Sequence, residues 1–243
     1  MAAMARIGTS GFMYDHWRGV LYPQKLAKAK WLEHYATQFD TVELNNTFYG
    51  MPRARICQTW HDRTGEGFCF AVKLHRVITH RRRLVGHGPA LAAYLEAVAA
   101  LDEKLGPILV QLPPRFTPDP QRLDRFLESC PPRHRWAVEF RDPAWLNDEV
   151  FAVLARHNAA LVIHDLIRPH PQTATADWTY FRFHGPAAAR YAGRYPPQSL
   201  RAAADRILGH LSAGRDVYAY FNNDIAGHAV LNAMDLRRFV NEG

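Results

Sequence analysis

Cysteine is scarce in this 243-residue chain: Cys57, Cys69 and Cys130 are all there is, and their spacing forms no pair. That excludes a disulfide-stapled scaffold and points to free thiols packed in a reducing compartment rather than a metal set. No run of about 18 apolar residues occurs, so the signal of a membrane-spanning helix is missing. Residues 1–5, MAAMA, are too short for a secretory leader, and a cytoplasmic location is expected. The turn after the first strand reads GTSGF instead of G-x-G-x-x-G, which argues against a dinucleotide-binding sheet. Ser10 lies in GTSG, outside a G-x-S-x-G elbow, and is expected only to shape its loop. There is no repeat of fixed period, no low-complexity stretch and no linker, so residues 1–243 read as a single domain.

What is present is enough apolar material for a full core, 48% hydrophobic and 12% aromatic, arranged in alternating strand and helix patterns. Strands are expected at Ala5–Gly8, Thr41–Leu44, Phe68–Leu74, Pro107–Leu112, Arg135–Phe140, Ala159–Ile163, Trp178–Phe183 and Asp216–Phe221. Helices are expected at Lys30–Phe39, Arg53–Arg63, Pro89–Leu105, Pro120–Ser129, Asn147–His157, Gln198–Ala213 and Ala226–Val240, with only a loop before Asp177. Strands that alternate with helices form parallel sheets, and eight such units in this length predict an α/β fold of the TIM (β/α)8 barrel type. An open doubly wound sheet is the alternative.

The polar residues fall late in these strands. Glu43 and Asn45 end the second strand, Lys73 the third, Gln111 the fourth, Glu139 with Arg141 the fifth, Arg182 with His184 the seventh and Asn222 the eighth. The sixth ends in His164 and Asp165, of which the pattern does not say which points inward. Side chains alternate across a strand, and the helix-facing set is apolar, so the polar set belongs inside the barrel at the carboxyl ends that carry active sites in this fold. The competing reading is an inert ionic network, with Glu43 paired to Lys73 and Glu139 to Arg141. Buried ion pairs stabilise poorly because desolvation offsets attraction, so a convergent ring of them favours a functional pocket.

Eight stretches taken together resemble the YecE-like family, a domain of unknown function with a TIM-barrel fold. They are IGTSGF (7–12), LYP (21–23), FDTVELNNTFYGMP (39–52), FAVKLHRVITH (70–80), LGPILVQLPPRF (105–116), AVEFRDPAW (137–145), FRFHG (181–185) and YAYFNNDIAGHAVLNAMDL (218–236). Phe12 departs from the pattern, which has Trp there. The resemblance implies the barrel and carries no activity with it.

For chemistry, Glu43 and Glu139 are the acid/base candidates and His184 a proton carrier. Paired carboxylates also raise glycoside hydrolysis. Lys73, Arg141 and Arg182 form an anion clamp, with Asn45, Gln111 and Asn222 as polar contacts, and the net charge of +7 favours an anionic, phosphorylated small molecule. The loops HGPAAARYAGRYP and NNDIAGHA, with Gly227 opening the last helix, stand where this fold often holds phosphate. A divalent metal on Glu139, His184 and His164 or Asp165 is an alternative, although no short ligand motif supports it and three cations oppose it. Nucleic acid is a further alternative, from Arg76 and Arg81–Arg83 with the loop aromatics Tyr14, Trp17, Phe48, Tyr49, Trp145, Tyr191 and Tyr195.

Overall fold

In the computed structural model, which describes residues 2–187, 189 and 191–243, eight parallel strands form one nearly closed barrel with helices outside. The strands are β1 (Ala5–Thr9), β2 (Thr41–Leu44), β3 (Cys69–Lys73), β4 (Leu105–Gln111), β5 (Trp136–Glu139), β6 (Ala160–His164), β7 (Trp178–Phe183) and β8 (Asp216–Phe221). The α-helices are α1 (Trp31–Ala36), α2 (Asn46–Tyr49), α3 (Ala54–Asp62), α4 (Gly88–Val98), α5 (Pro120–Glu128), α6 (Asp148–Arg156), α7 (Pro197–Ser212) and α8 (His228–Glu242). The single-domain barrel expected from the alternation is therefore the observed fold, and the β6–β7 connection is a loop as expected. The one α-helix not anticipated, α2, is a single turn, too short to show a helical period.

Sequential strands hydrogen-bond side by side from β2 through β8 and on to β1. The remaining seam, between β1 and β2, is closed differently. Ser10 and Glu43 form one isolated bridge, and the Gly11 N–H donates to the Glu43 carbonyl at 2.7 Å. Lower down, the hydroxyl of Tyr35 on α1 stands between the strands. It accepts from the Thr9 N–H at 3.1 Å and donates to the Thr41 carbonyl at 3.0 Å, bridging β1 and β2 where no ladder joins them. Gly8 permits this approach: a Cβ there would stand 2.4 Å from the Thr41 carbonyl oxygen.

Alternation along the strands divides the core in two. Phe70, Val72, Val110, Val138, Phe181 and Ala219 face the helices, within one large apolar cluster. Cys69, Ala71, Leu109, Ala137, Ala160, Val162, Trp178, Tyr180, Tyr218 and Tyr220 fill the barrel. The aromatic rings of β7 and β8 thus sit opposite small residues of β3, β5 and β6, which is how a barrel interior reaches close packing. Arg135 closes the amino-terminal end, bonded to Tyr218 Oη and Asp216, each at 2.7 Å, and lying over the Trp178 ring. Above these rings the polar strand ends begin.

Candidate functional site

Arg182 at the end of β7 organises the carboxyl-terminal mouth. Its Nη2 donates to Glu43 Oε1 at 2.7 Å and its Nη1 to Glu139 Oε2 at 2.6 Å, so one guanidinium cross-links β2, β5 and β7. The planar fork makes this possible, since each nitrogen addresses a separate carboxylate. Glu43 also accepts from Ser10 Oγ at 2.6 Å and Tyr180 Oη at 2.7 Å. Glu139 accepts from Arg141 Nε as well. Glu43, Glu139 and His184 are 0% exposed and Arg182 is 1% exposed.

Protonation follows from these contacts. Burial raises the pKa of both glutamates, and the adjacent guanidiniums more than reverse it, leaving Glu43 below and Glu139 well below the ordinary carboxylate range. Both are ionised at neutral pH. Burial disfavours the charged form of His184 and lowers its pKa. Its Nε2 faces Arg141 Nη2 at 3.2 Å and Arg182 Nη1 at 3.3 Å, both obligate donors, so Nε2 accepts and the ring proton sits on Nδ1, 3.4 Å from Asp165 Oδ1. Asp165 in turn accepts from the His184 N–H at 3.0 Å and from Tyr195 Oη. His164 is the β6 residue turned to the polar centre. Its Nε2 bonds the Phe140 carbonyl at 2.8 Å, and burial lowers its pKa to about 4, so it is neutral.

Of the two pairs in the competing ionic-network reading, Glu139–Arg141 is formed and Glu43–Lys73 is not: Arg182 takes Glu43, because its side chain reaches across the mouth from β7. Lys73 stands instead on the solvent side of the network. It and Gln111 are each 8% exposed, and Lys73 Nζ donates to Gln111 Oε1 at 2.6 Å. Its ammonium lies 4.1 Å from the centroid of the Phe48 ring, carried by α2. Thr47 pins α2 in place by donating to the Lys73 carbonyl at 2.7 Å and the Leu44 carbonyl at 2.9 Å. Among the described residues no carboxylate lies within ion-pair distance of Lys73. Burial, with Arg182 adding to it, lowers the Lys73 pKa to about 7.

Arg141, Asn45 and Asn222 are half-buried. Asn45 also lines a cleft of about 340 Å³ with Phe12, Met13, Tyr14 and Trp60, and its Oδ1 is buried without a partner. It is Asn223, not its neighbour, that ties the last loops together, donating to the Gly193 carbonyl at 2.8 Å and Asn232 Oδ1 at 2.9 Å. Gly227 begins α8 at φ +74° and is buried against Val20. In the loop HGPAAARYAGRYP, Ala188 and Arg190 lie outside the described residues.

The geometry narrows the chemistry. The gap between Glu43 and Glu139 that a glycosidic oxygen and a water would need is filled by Arg182. Among the described residues no three His, Cys, Asp or Glu side chains form a metal-ligand group. Both Glu139 oxygens and His184 Nε2 are already engaged by arginines, so the donor set considered for a metal does not fit one. Of the mouth aromatics, Trp17 and Trp145 are buried in the core, while Tyr49 is exposed. Ser10 and Tyr180 join the site without being candidates from the sequence, and Phe48, Asp165 and Tyr195 enter it in roles other than the base-stacking and metal-binding ones considered for them. For Tyr180 the signal was available, since it lies two residues before Arg182 on the same inward face.

Fold and site define a class: a single-domain parallel (β/α)8 barrel whose mouth holds a buried carboxylate–guanidinium network with a lysine at its rim. Within that class the chain belongs to the family described as protein of unknown function DUF72, whose model matches residues 6–243. It is 27% identical to the UPF0759 protein YunF of Bacillus subtilis over 96% of this chain and 93% of that protein. It is 32% identical to the UPF0759 protein YecE of Escherichia coli K12, over 46% of this chain and 42% of that protein's length. A DUF72 family protein from Thermotoga maritima superposes with a TM-score of 0.87 at 28% identity, covering 98% of this chain and 99% of that one. A DUF72 family protein from Enterococcus faecalis shares the fold with a TM-score of 0.82 at 23% identity, over 98% and 96% of the two chains. No helix among the described residues is long and apolar enough to cross a membrane.

Proposed function

We propose that the protein is an enzyme acting, in a reducing cytoplasmic compartment, on a small anionic molecule bound at the barrel mouth, with phosphorylated compounds the first class to test. The observation that carries this is the charge balance at the strand ends. Arg182 and Arg141 are matched by two carboxylates, Glu43 and Glu139, while Lys73 stands where solvent reaches, with no carboxylate within ion-pair distance among the described residues. An anion there supplies what the fold leaves out. Lys73 and Arg141 are its cationic contacts, with Gln111, Asn45 and Asn222 as polar contacts. Arg182 holds the two carboxylates and through them orients Arg141. The acid/base role for Glu43 and Glu139 is the part this geometry supports least, because each is a weak base held by arginines, and His184 has no free lone pair to take a proton.

The experiment is calorimetric titration near pH 7.5 in buffers of different ionisation enthalpy, with inorganic phosphate for affinity and with sulfate, which does not titrate in this range, for the proton count. An anion beside Lys73 raises its pKa, so binding takes up a proton. Binding with proton uptake, lost in Lys73→Met and weakened in Arg141→Gln, is expected. Binding without proton uptake, or no binding at millimolar phosphate, refutes the reading.

A second reading, nucleic-acid binding, is favoured by the exposure of Arg81, Arg82 and Arg83 just beyond β3 and of Tyr49. It predicts affinity for single strands that falls steeply with salt and drops when the three arginines are replaced.

A further inference from the structure

Lysine is rare here: five lysines stand against twenty-five arginines. Lys25, Lys28 and Lys30 lie together on the exposed surface before α1. Lys104 is buried, with its ammonium donating to the His61 carbonyl at 2.6 Å and the Thr64 carbonyl at 2.7 Å, as a buried charge requires. Lys73 is the exception. It is buried at a strand end with one neutral acceptor, Gln111 Oε1, and an aromatic face, Phe48. The groups facing it are Arg182 from β7, Arg141 and Glu139 from β5 and its end, Glu43 from β2, and His80 from the turn after β3. The other cations among them are arginines, which do not give up their protons in proteins. If the mouth needed only positive charge, arginine would serve at position 73 as it does at 141 and 182. Lysine differs in one chemical respect that matters here, which is that it can become a neutral amine.

We infer that Lys73 is a nucleophile that forms an imine with a small aldehyde or ketone carrying a carboxylate or phosphate. This rests on the reading of the mouth as an anion site and names its substrate class. The neutral Nζ attacks the carbonyl carbon, forming a C–N bond as the C=O π pair moves to oxygen. The carbinolamine then loses its oxygen as water, taking the two amine protons with it, and leaves C=N. One further proton from solvent gives the iminium, which carries the same charge as the lysine ammonium it replaces. The surrounding charges, two ionised glutamates and two guanidiniums, treat it as they treat protonated Lys73, and the substrate's anion supplies the countercharge that both lack. No oxidant or cofactor is consumed. A desolvated lysine beside other cations is a recognised way to hold such an amine neutral at physiological pH, and the fall of the Lys73 pKa to about 7 accords with it.

The test is reductive trapping on the intact protein at pH 7 with cyanoborohydride, read lysine by lysine by peptide mass spectrometry. With formaldehyde, the smallest carbonyl, Lys73 is expected to be alkylated on the order of tenfold faster than the exposed Lys25, Lys28 and Lys30. This preference is expected to vanish in urea. Reaction at Lys73 no faster than at buried Lys104 overturns the inference. Glyoxylate and glycolaldehyde phosphate, compared with acetaldehyde, then test the anionic group and distinguish carboxylate from phosphate. Faster trapping of either, abolished in Arg141→Gln, supports the substrate class; rates equal to acetaldehyde refute it. Phosphate binding with an inert Lys73 would overturn the imine and leave the anion reading standing. A reactive Lys73 without phosphate binding or anion preference would do the reverse.

Discussion

A lysine whose ammonium is disfavoured in the folded protein must destabilise that fold at neutral pH, and its removal must therefore stabilise it. The fall of the Lys73 pKa from 10.5 to about 7 corresponds to about 5 kcal/mol. The sign follows from proton counting. Between pH 7 and 10.5 the unfolded chain binds the proton and the folded chain does not, so stability rises with pH across that window. Below pH 7 both states are protonated and the full penalty is present. Lys73→Met keeps an unbranched stem against Phe48 and leaves Gln111 Oε1 unpaired at a cost of about 1–3 kcal/mol. Net stabilisation of about 2–4 kcal/mol is expected at pH 6, shrinking by about 3 kcal/mol by pH 9.5 as the wild-type amine deprotonates. Urea unfolding of both proteins at pH 6, 7.5 and 9.5 measures this directly. Because the variant differs in one titrating group, the tyrosines and carboxylates cancel in the difference. A stability difference that is flat from pH 6 to 9.5, or a variant less stable at pH 6, would refute the view of Lys73 as an uncompensated amine.

Other perturbations follow from the same contacts. Arg182→Met strands two buried carboxylates and is expected to cost about 3–5 kcal/mol in chemical unfolding; a loss under 1 kcal/mol would mean the network is solvated. Glu43 and Glu139 have lowered pKa values in the fold, so their contribution is complete above about pH 4.5 and fades as pH falls below it. A Glu43→Gln/Glu139→Gln double variant should therefore show a flatter stability profile between pH 5 and 2 than wild type, and parallel profiles would count against the assignment. Tyr35→Phe removes the hydroxyl that bridges the β1–β2 seam, leaving a buried N–H and carbonyl unpaired. A loss of about 2–4 kcal/mol is expected, with faster amide exchange at Thr9 and Thr41; unchanged exchange there would show that the seam closes without it.

Much of this was legible in the residues. Strands β2, β7 and β8 fall where the alternation puts them, because an inward and an outward face, once buried, leave no freedom of register. The late position of Glu43, Lys73, Glu139, Arg182 and His184 was enough to gather them at one end. Their partners were legible only in part: the Glu139–Arg141 pair of the ionic-network reading forms, and the Glu43–Lys73 pair does not. Pairing across a barrel mouth depends on strand tilt and side-chain reach, neither of which has a local signature, and so Glu43 meets Arg182 where the competing reading gave it Lys73. Ser10 and Tyr195 come from loops whose return over the mouth no periodicity encodes. Phe48 rides on a helical turn of four residues that a window of 11 or more smooths away.

The arrangement separates two tasks that the strand ends seemed to share. Ionic groups buried away from water must satisfy one another, and Glu43, Arg182, Glu139 and Arg141 do so almost completely, with His184 and Asp165 oriented around them. A network so engaged is rigid and chemically quiet. Lys73 is placed against that wall but outside it, touching solvent and lacking a countercharge. Nothing about fold stability calls for an amine there, since an apolar residue would pack against Phe48 at lower free energy. A destabilised residue held by a rigid, satisfied surround is the pattern expected where function and stability are in conflict. By that argument the carboxylates and the two arginines are the scaffold of the proposed site, and the proposed chemistry falls to the rim at Lys73 and Gln111.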